Sequence, residues 1–318
     1  MGNATQRDLH VDQNLSQIAI DYRPQGMIAD MLAPIVPVAK ESDRYAEFSR
    51  AEAYRNEDTL RSRSTPANRV IRSVSSGTYY AQNYALSYGV PIEDRANADP
   101  IFVQKLFNGA ATYLTGKLLL DWEVRVATQV TNTSNVGSSS AVTSGWTDTA
   151  NSDPLGDINA MMDNFEDANG IRPNRVTFGG PAWRNARRNS TILNRIFGNN
   201  NGGGYASTAD IANLLDVQQI LIGGAYQNTA DRGQSEALAS VWGDNVLLSY
   251  SPFAPSMDEP SFMYSFRWNA PGLPSMVAER HPYDSKNKEE LVEVGYYQDE
   301  KITGASYGWL LTAVNSST

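Results

Sequence analysis

Cysteine is absent from the 318 residues of the chain, and histidine occurs only twice, as His10 and His281. Without cysteine there is no disulfide framework, no thiolate zinc site and no thiol nucleophile. Two histidines so far apart in sequence nearly exclude a multi-histidine metal centre and leave little for histidine-based acid–base catalysis. We therefore expect no cofactor, no metal and no catalytic site.

Long apolar stretches are also missing. No run of about 18 apolar residues exists, so no membrane-spanning helix is predicted. The first 17 residues are polar and lack the apolar segment of a secretory signal peptide. We expect a soluble chain that is made in a reducing cytoplasm and has no membrane contact.

Positive charge is scarce, because 26 Lys and Arg stand against 35 Asp and Glu, for a formal net charge of −9. A protein that grips DNA through phosphates should be basic, so this chain should not coat nucleic acid tightly, although it could enclose it. Twenty of the basic residues are Arg and six are Lys. Arg suits planar pairing in desolvated interfaces, so the bias fits a protein-contact surface, although codon composition could also produce it.

Residues 1–43 are predicted to form an extended arm with one short helix. The helix is indicated by apolar residues at helical spacing, namely Leu15, Ile18, Ala19 and Tyr22. Pro24 and Gly26 interrupt it, and Pro34 and Pro37 favour an extended exit. An arm so apolar yet so broken cannot bury itself, so it must lie on the rest of the subunit or on a neighbour.

Residues 44–92 are predicted to form a long two-stranded excursion with a charged tip. Charged residues crowd 41–75, and the alternation over 78–92 is typical of a strand. The apolar face of that strand comprises Tyr80, Tyr84, Leu86, Tyr88, Val90 and Ile92. A two-stranded hairpin is marginal alone in water, so this segment also needs a partner surface.

A very long helix is predicted to begin at Asp99-Pro100, because Asp is a favoured N-cap and Pro a favoured first helical residue. Apolar residues then recur at steps of mostly three and four as far as Val130. A helix that continues to about Thr131 is roughly 45–50 Å long, well beyond the usual length in a globular domain. Such a helix is a spine around which other elements are arranged.

The rest of the chain predicts an α+β fold with no repeat and no parallel βαβ pattern. Residues 132–152 are interpreted as a loop, because Ser, Thr, Asn and Gly dominate there. Helices are predicted from 154 to a stop at Gly170, from 181 to 188 and from 207 to 215. Strands are predicted at 175–179, 219–222, 246–250 and 262–268, with 290–297 and 307–314 as a final hairpin.

Residues 168–209 contain six arginines and no acidic residue. The arginines are Arg172, Arg175, Arg184, Arg187, Arg188 and Arg195. Such a basic patch could face nucleic acid or the acidic residues of a neighbouring subunit, and the alternative is an ordinary exposed helix face. Because the chain as a whole is acidic, we favour a subunit contact over DNA binding.

The order of these elements is more informative than any short motif. Leu15-Ser16…Ile18-Ala19…Tyr22, then Ile28-Ala29-Asp30…Ala33-Pro34…Val36-Pro37-Val38, resembles the N-arm of phage capsid proteins. Pro173-Asn174-Arg175-Val176-Thr177-Phe178, which leads into a helix, resembles the start of their axial domain. Nearly the whole chain thus resembles the major capsid protein of tailed double-stranded DNA bacteriophages, whose HK97-like fold is shared with encapsulin shells.

This resemblance implies four regions. Residues 1–43 would be the N-arm, 44–92 the extended loop, 93–152 with 275–318 the peripheral domain, and 153–274 the axial domain. The first three would contact neighbours within and between capsomers, and the axial domains would meet around the capsomer axis. Candidate subunit-contact residues are Arg50, Arg55, Arg61, Arg63, Arg184, Arg187 and Arg188.

The resemblance also implies partners and location. The chain would form hexamers and pentamers with itself and close into an icosahedral shell, a virion capsid assembled in the host cytoplasm. Separate scaffolding, portal and decoration proteins are candidate partners. The shell would enclose the viral double-stranded DNA without sequence-specific binding.

The sequence departs from the family pattern in two places. Some members form a Lys–Asn cross-link from the extended loop, but no Lys lies between Lys40 and Lys105, so that mechanism is not supported. Some members begin with a long scaffolding segment that is later removed. Here the arm begins almost at once, so we expect any scaffolding from a separate protein or from a segment cleaved before residue 1.

Two alternatives stay open at this point. An encapsulin-type nanocompartment shell would enclose a cargo enzyme, although the long apolar arm and the large loop suit a viral shell better. A carboxylate-dependent hydrolase could use Asp163 and Glu166, and it would need a deep acidic cleft rich in aromatic residues. On a helix with an apolar stripe, these acids and Asp167 more often form the solvated face.

Overall fold

The computed structural model describes residues 12–48, 54–70, 74–149, 151–198, 204–252, 261–269 and 274–316. The first part of the chain forms α1 (Gln13–Asp21), α2 (Ala29–Leu32), β1 (Ile35–Val38), β2 (Ser42–Phe48), β3 (Val74–Tyr80), β4 (Gln82–Pro91), α3 (Ile92–Asn97), α4 (Pro100–Val130) and β5 (Ser138–Ala141). The middle part forms α5 (Pro154–Asn169), β6 (Arg175–Gly179), α6 (Gly180–Ala186), α7 (Ser190–Phe197), α8 (Thr208–Leu215), β7 (Gln219–Gly223), β8 (Tyr226–Asn228) and β9 (Leu238–Ser240). The last part forms β10 (Val246–Ser249), β11 (Met263–Trp268), β12 (Val277–Arg280), β13 (Glu289–Ile302) and β14 (Gly308–Thr312). The predicted α+β class is confirmed, and among these residues no helix is both long and apolar enough to span a membrane.

The predicted spine helix is confirmed as α4, which has 31 residues. At 1.5 Å per residue it is about 46 Å long. Its apolar stripe is buried from Phe107 through Trp122 to Val130, and it packs on α1, α2, β4 and β13. Asp99 precedes the helix as predicted, but its side chain makes no capping hydrogen bond.

The first sheet has the strand order β1-β11-β13-β12, and β4 also pairs with β13. β13 is antiparallel to β4, β11 and β12, whereas β1 is parallel to β11. Leu15 and Ala19 of α1 join Phe107, Leu114 and Val294 in one core between the spine helix and this sheet. The arm therefore lies on its own subunit, as a helix and as a strand.

The second sheet has the order β5-β14-β10-β6-β7. Helices α5 to α8 cover one face, in a core that includes Phe178, Trp183 and Leu248. The opposite face contributes Leu247 and Leu310 to a core with α2 and the second half of α4. Because successive residues of a strand point to opposite faces, β10 contributes to both cores and the sheet is a middle layer.

Three local helix signals behave as predicted. The Asp153 carboxylate accepts a hydrogen bond from the backbone N–H of Gly156 at 3.0 Å at the start of α5. Gly170 ends that helix with φ +68°, a left-handed conformation that favours glycine. Ser207 and Asp210 form a capping box before α8.

The prediction of a final hairpin is wrong. β13 pairs with β4, β11 and β12 in the first sheet, whereas β14 pairs with β10 and β5 in the second. Alternation predicts a strand but not its partner, and here two neighbouring strands in sequence are buried by different cores.

The predicted two-stranded excursion is shorter than 44–92. β3 pairs with β2 and ends at Tyr80, and β4 begins at Gln82 and joins the first sheet along ten residues of β13. Ile92 begins α3 instead of continuing the apolar face. The two strands share one alternation pattern, so the break between them is not visible in the sequence.

Two further predictions are corrected. The segment interpreted as a loop contains β5, which runs parallel to β14, and its Trp146 is fully buried. The absence of a parallel βαβ pattern is also wrong, since β6 and β7 are parallel neighbours joined through α6, α7 and α8. The helices α2, α3 and α7 and the strands β8, β9 and β12 were not predicted, so the arm contains two short helices instead of one.

Candidate subunit-contact surfaces

The β2–β3 hairpin is anchored at its base and exposed at its tip. The rings of Tyr45 and Tyr79 stack on Phe266 of the first sheet, with centroids 5.2 and 4.8 Å apart. Residues 54–70, which we call the hairpin tip, are all exposed, and Leu60 is 83% exposed. The tip therefore has no core within its own subunit.

Four predicted contact residues lie between β2 and β3 in the sequence. Arg55, Arg61 and Arg63 are exposed on the tip, and Arg50 lies outside the described residues. Nε of Arg61 donates to the backbone carbonyl of Thr65 at 2.6 Å, so local hydrogen bonds hold part of the tip. The tip presents guanidinium groups to the outside, and their contact with a neighbour stays a prediction.

The other three predicted contact residues lie on or directly after α6. Nη1 of Arg184 donates to the hydroxyl of Tyr226 at 3.1 Å, and Nε of Arg188 donates to the carbonyl of Arg184 at 2.8 Å. The Arg187 guanidinium lies over the ring of Tyr205, 4.9 Å from its centroid. The structure thus gathers these arginines and two exposed tyrosines in one patch, the α6 arginine patch.

The arginine-rich segment 168–209 is not one continuous exposed surface. Arg175 is buried in β6, and its Nη1 donates to the backbone carbonyl of Met31 at 2.7 Å. Burial lowers the pKa of Arg175. This residue therefore ties the arm to the second sheet, whereas Arg172, Arg184, Arg188 and Arg195 are exposed and Arg187 is half-buried.

Sequence reasoning missed Glu123, a fully buried acid of the spine helix. Its carboxylate accepts the backbone N–H groups of Ile28 at 3.0 Å and Ala29 at 2.8 Å, and the indole N–H of Trp242 at 2.6 Å. Burial raises the pKa of Glu123, although these donors lower it in part. A lone acid on the apolar stripe between Trp122 and Val126 was the available signal.

A second buried polar group, around Arg267 of β11, was also missed. Nε of Arg267 donates to Gln298 at 2.8 Å, Gln298 donates to Glu300 at 2.7 Å, and Nη2 of Arg125 donates to Glu300 at 2.9 Å. Burial lowers the pKa of Arg267 to about 10 and raises that of Tyr296 to about 12. The group joins the first sheet to the spine helix through these hydrogen bonds.

The acids of the hydrolase alternative do not form a cleft. Asp163, Glu166 and Asp167 are all exposed on the outer face of α5. Across the described ranges, no three His, Asp or Glu side chains are grouped so that they could hold a metal. The predicted solvated face of this helix is confirmed.

Comparison with known proteins gives the family. No protein-family model matches the chain. The major capsid protein of Pseudomonas phage JBD67 is 30% identical over 244 residues, which cover 76% of this chain and 77% of that protein. The major capsid protein of Burkholderia phage BcepMu is 27% identical over 318 residues, which cover 96% of this chain and 97% of that protein.

Solved structures share the fold along nearly the whole chain. A phage-related protein from Bordetella bronchiseptica gives a TM-score of 0.75 at 22% identity, covering 96% of this chain and 98% of that one. A chain of the cyanophage P-SCSP1u capsid gives a TM-score of 0.57 at 13% identity, covering 93% and 90%. The curated relatives are phage proteins, which does not favour the encapsulin alternative. The chain therefore belongs to the family of phage major capsid proteins, structural proteins of the virion capsid with the HK97-like fold.

Proposed function

We propose that copies of this chain assemble into hexamers and pentamers, which close as an icosahedral shell around double-stranded DNA and perform no catalytic step. The observation that carries this proposal is the hairpin tip, where every residue from 54 to 70 is exposed. Exposed apolar side chains such as Leu60 and Val70 are poorly placed in a monomer. A neighbouring subunit supplies the surface that this segment lacks.

The proposal divides the chain into four regions. Residues 1–43 are the N-arm, 44–92 the extended loop, 93–152 with 275–318 the peripheral domain, and 153–274 the axial domain. The separate cores around the first and second sheets support a division into two parts, with the exception that β5 and β14 of the peripheral ranges lie in the second sheet and β11 of the axial range lies in the first. The long β4–β13 pairing indicates that the extended loop is rooted in the peripheral sheet.

Two arginine surfaces are proposed as subunit contacts. One is the hairpin tip with Arg55, Arg61 and Arg63, and the other is the α6 arginine patch with Arg184, Arg187 and Arg188. Arg50 belongs to the same proposal by its place in the sequence. A contact in which one surface of a subunit meets a different surface of the next produces closed rings when the rotation closes.

The shell holds DNA by confinement in this proposal, since a chain with a net charge of −9 is a poor phosphate binder. Assembly takes place in the host cytoplasm. Separate scaffolding, portal and decoration proteins are proposed as further partners, and no membrane takes part.

Negative-stain electron microscopy of the purified chain, with light scattering alongside, tests the proposal. We expect rings, tubes or closed shells built from this chain alone. A strictly monomeric, well-folded chain whose residues 1–92 resist protease would overturn it. A DNA-binding titration adds a second test, because strong and salt-sensitive affinity of the free subunit would contradict confinement.

A further inference from the structure

The hairpin tip touches the axial part of its own chain at Gly170. A β-carbon built on Gly170 would lie 2.8 Å from Cζ and 2.9 Å from the hydroxyl oxygen of Tyr54. The Tyr54 ring therefore rests directly on the left-handed glycine that ends α5, where any side chain would push it away. We call Gly170 and the last turn of α5 the ring seat.

Acidic residues outnumber basic ones around the ring seat, where Arg172, two residues after Gly170, is also exposed. The last two turns of α5 carry the exposed acids Asp163, Glu166 and Asp167, and the last turn has no basic residue. Acids at the C-terminal end of a helix are disfavoured by about 0.3–1 kcal/mol each, because the carbonyl end of the helix dipole is negative. Among the described residues, no ion pair reaches these three carboxylates.

The hairpin tip has the opposite charge. Four arginines are exposed on it against the two acids Glu57 and Asp58, namely Arg55, Arg61, Arg63 and Arg69. The contact within one chain leaves both surfaces incomplete, because Tyr54 remains 59% exposed and Leu60 83% exposed. Within one chain, the hairpin tip and the ring seat therefore meet, but the tip stays exposed.

We propose that the ring seat is the docking site for the hairpin tip of a second copy of this chain, with the Tyr54 ring on Gly170 and the tip arginines beside the α5 acids. A contact that an element makes within one chain can be made between copies at little cost. Exchange between copies lets a neighbour cover the exposed apolar side chains of the tip and places its arginines beside the α5 acids. This inference rests on the proposed self-assembly and names one of its contacts.

Two variants with reversed charges test this docking contact. The tip variant carries Arg61→Glu and Arg63→Glu, and the seat variant carries Glu166→Lys and Asp167→Lys. We expect each alone to lower the assembled fraction about tenfold at roughly 0.1 M salt, because each places like charges against each other. An equimolar mixture should recover assembly, since each tip then meets a seat of opposite charge on the other variant.

Matched controls separate local from general charge effects. Lys286→Glu with Lys288→Glu repeats the charge change of the tip variant at an exposed site, and Asp231→Lys with Glu236→Lys repeats that of the seat variant. Both controls should assemble as the wild type does. Far-ultraviolet circular dichroism should show native helix content for every variant.

A second pair of variants tests the ring itself. Tyr54→Ala should weaken assembly and Tyr54→Phe should retain it, because only the ring is needed over the glycine. The docking proposal is overturned if the tip variant or the seat variant assembles normally on its own, or if their mixture stays unassembled. Wild-type shells would still support the proposed function in either case. A wild-type chain that never assembles contradicts the proposed function and this contact with it.

Discussion

The indole N–H of Trp242 donates to the carboxylate of Glu123 at 2.6 Å, inside the protein. Trp242 follows β9, and Glu123 lies on the spine helix, so the bond crosses between two distant parts of the chain. The same carboxylate receives the N–H groups of Ile28 and Ala29 from the arm. One acid thus joins the arm, the spine and the segment before β10.

Removal of this acid should destabilise the subunit. We expect Glu123→Ala to lower the free energy of unfolding by about 3 kcal/mol, because three buried N–H donors lose their acceptor. Urea unfolding of the unassembled chain measures it. Asp163→Ala, which removes an exposed acid, is the control and should change stability by less than about 0.5 kcal/mol. Equal effects for the two variants would contradict the role of Glu123.

The raised pKa of Glu123 predicts a pH dependence with a definite sign. Because its pKa is higher in the folded than in the unfolded chain, the folded state binds the proton more tightly. The contribution is fully present below the ordinary glutamate pKa and is lost as pH rises through the folded value. The wild type should therefore gain stability relative to Glu123→Gln between pH 7 and pH 4.

Thermal unfolding of both proteins at several pH values in that range measures the difference. The comparison cancels groups that titrate alike in the two proteins. A difference that is flat, or that favours the variant at low pH, would contradict the predicted shift.

The aromatic anchor of the hairpin should be separable from the rest of the fold. Phe266→Ala removes the buried ring on which Tyr45 and Tyr79 stack, at an expected cost of about 3–5 kcal/mol. The substitution should accelerate amide hydrogen exchange more in β2 and β3 than in α5. Phe197→Ala, at a half-exposed aromatic of α7, is the control. Unchanged exchange in the hairpin would show that the stack does not hold it.

Two glycines should respond in opposite directions to alanine. Gly109 lies inside the spine helix with nothing within 4 Å of its β-carbon position, so Gly109→Ala should stabilise the chain by about 0.5–1 kcal/mol. A β-carbon on Gly179 would lie 2.1 Å from the carbonyl oxygen of Gly243, so Gly179→Ala should cost more than about 2 kcal/mol. Chemical denaturation measures the change in the free energy of unfolding for each variant. Changes of the same sign would contradict the packing described around one of the two glycines.

The α6 arginine patch should affect assembly more than stability. We expect Arg184→Glu with Arg188→Glu to reduce ring or shell formation, because two exposed guanidinium groups become carboxylates at a proposed contact. The thermal midpoint should shift little, since both side chains are exposed. Arg232→Glu with Lys286→Glu, at exposed sites outside the arginine-rich segment, provides a control of equal charge change. Sedimentation velocity distinguishes the outcomes, and normal assembly of the patch variant would remove it from the contact surfaces.

Local signals in the sequence were sufficient for many elements. Asp153-Pro154 and Gly170 bound α5, the spine helix follows its apolar stripe, and β6 occupies the predicted residues 175–179. These elements depend on caps, spacing and alternation, which are properties of neighbouring residues. The same signals could not show that β4 leaves the hairpin for β13, because the partner is about 200 residues away in sequence and loop closure leaves no local trace.

The sequence by itself determined the α+β class, the spine helix, the arm and the exposed, arginine-rich tip. These features depend on composition and hydrophobic periodicity, which are properties of residues close together in sequence. Only the tertiary structure decided that β13 and β14 enter different sheets and that Glu123 is a buried acceptor for the arm. It also placed Tyr54 on Gly170. Each of these depends on which distant segment supplies a hydrogen bond or covers an apolar face, and burial against a distant partner is a property of the assembled fold.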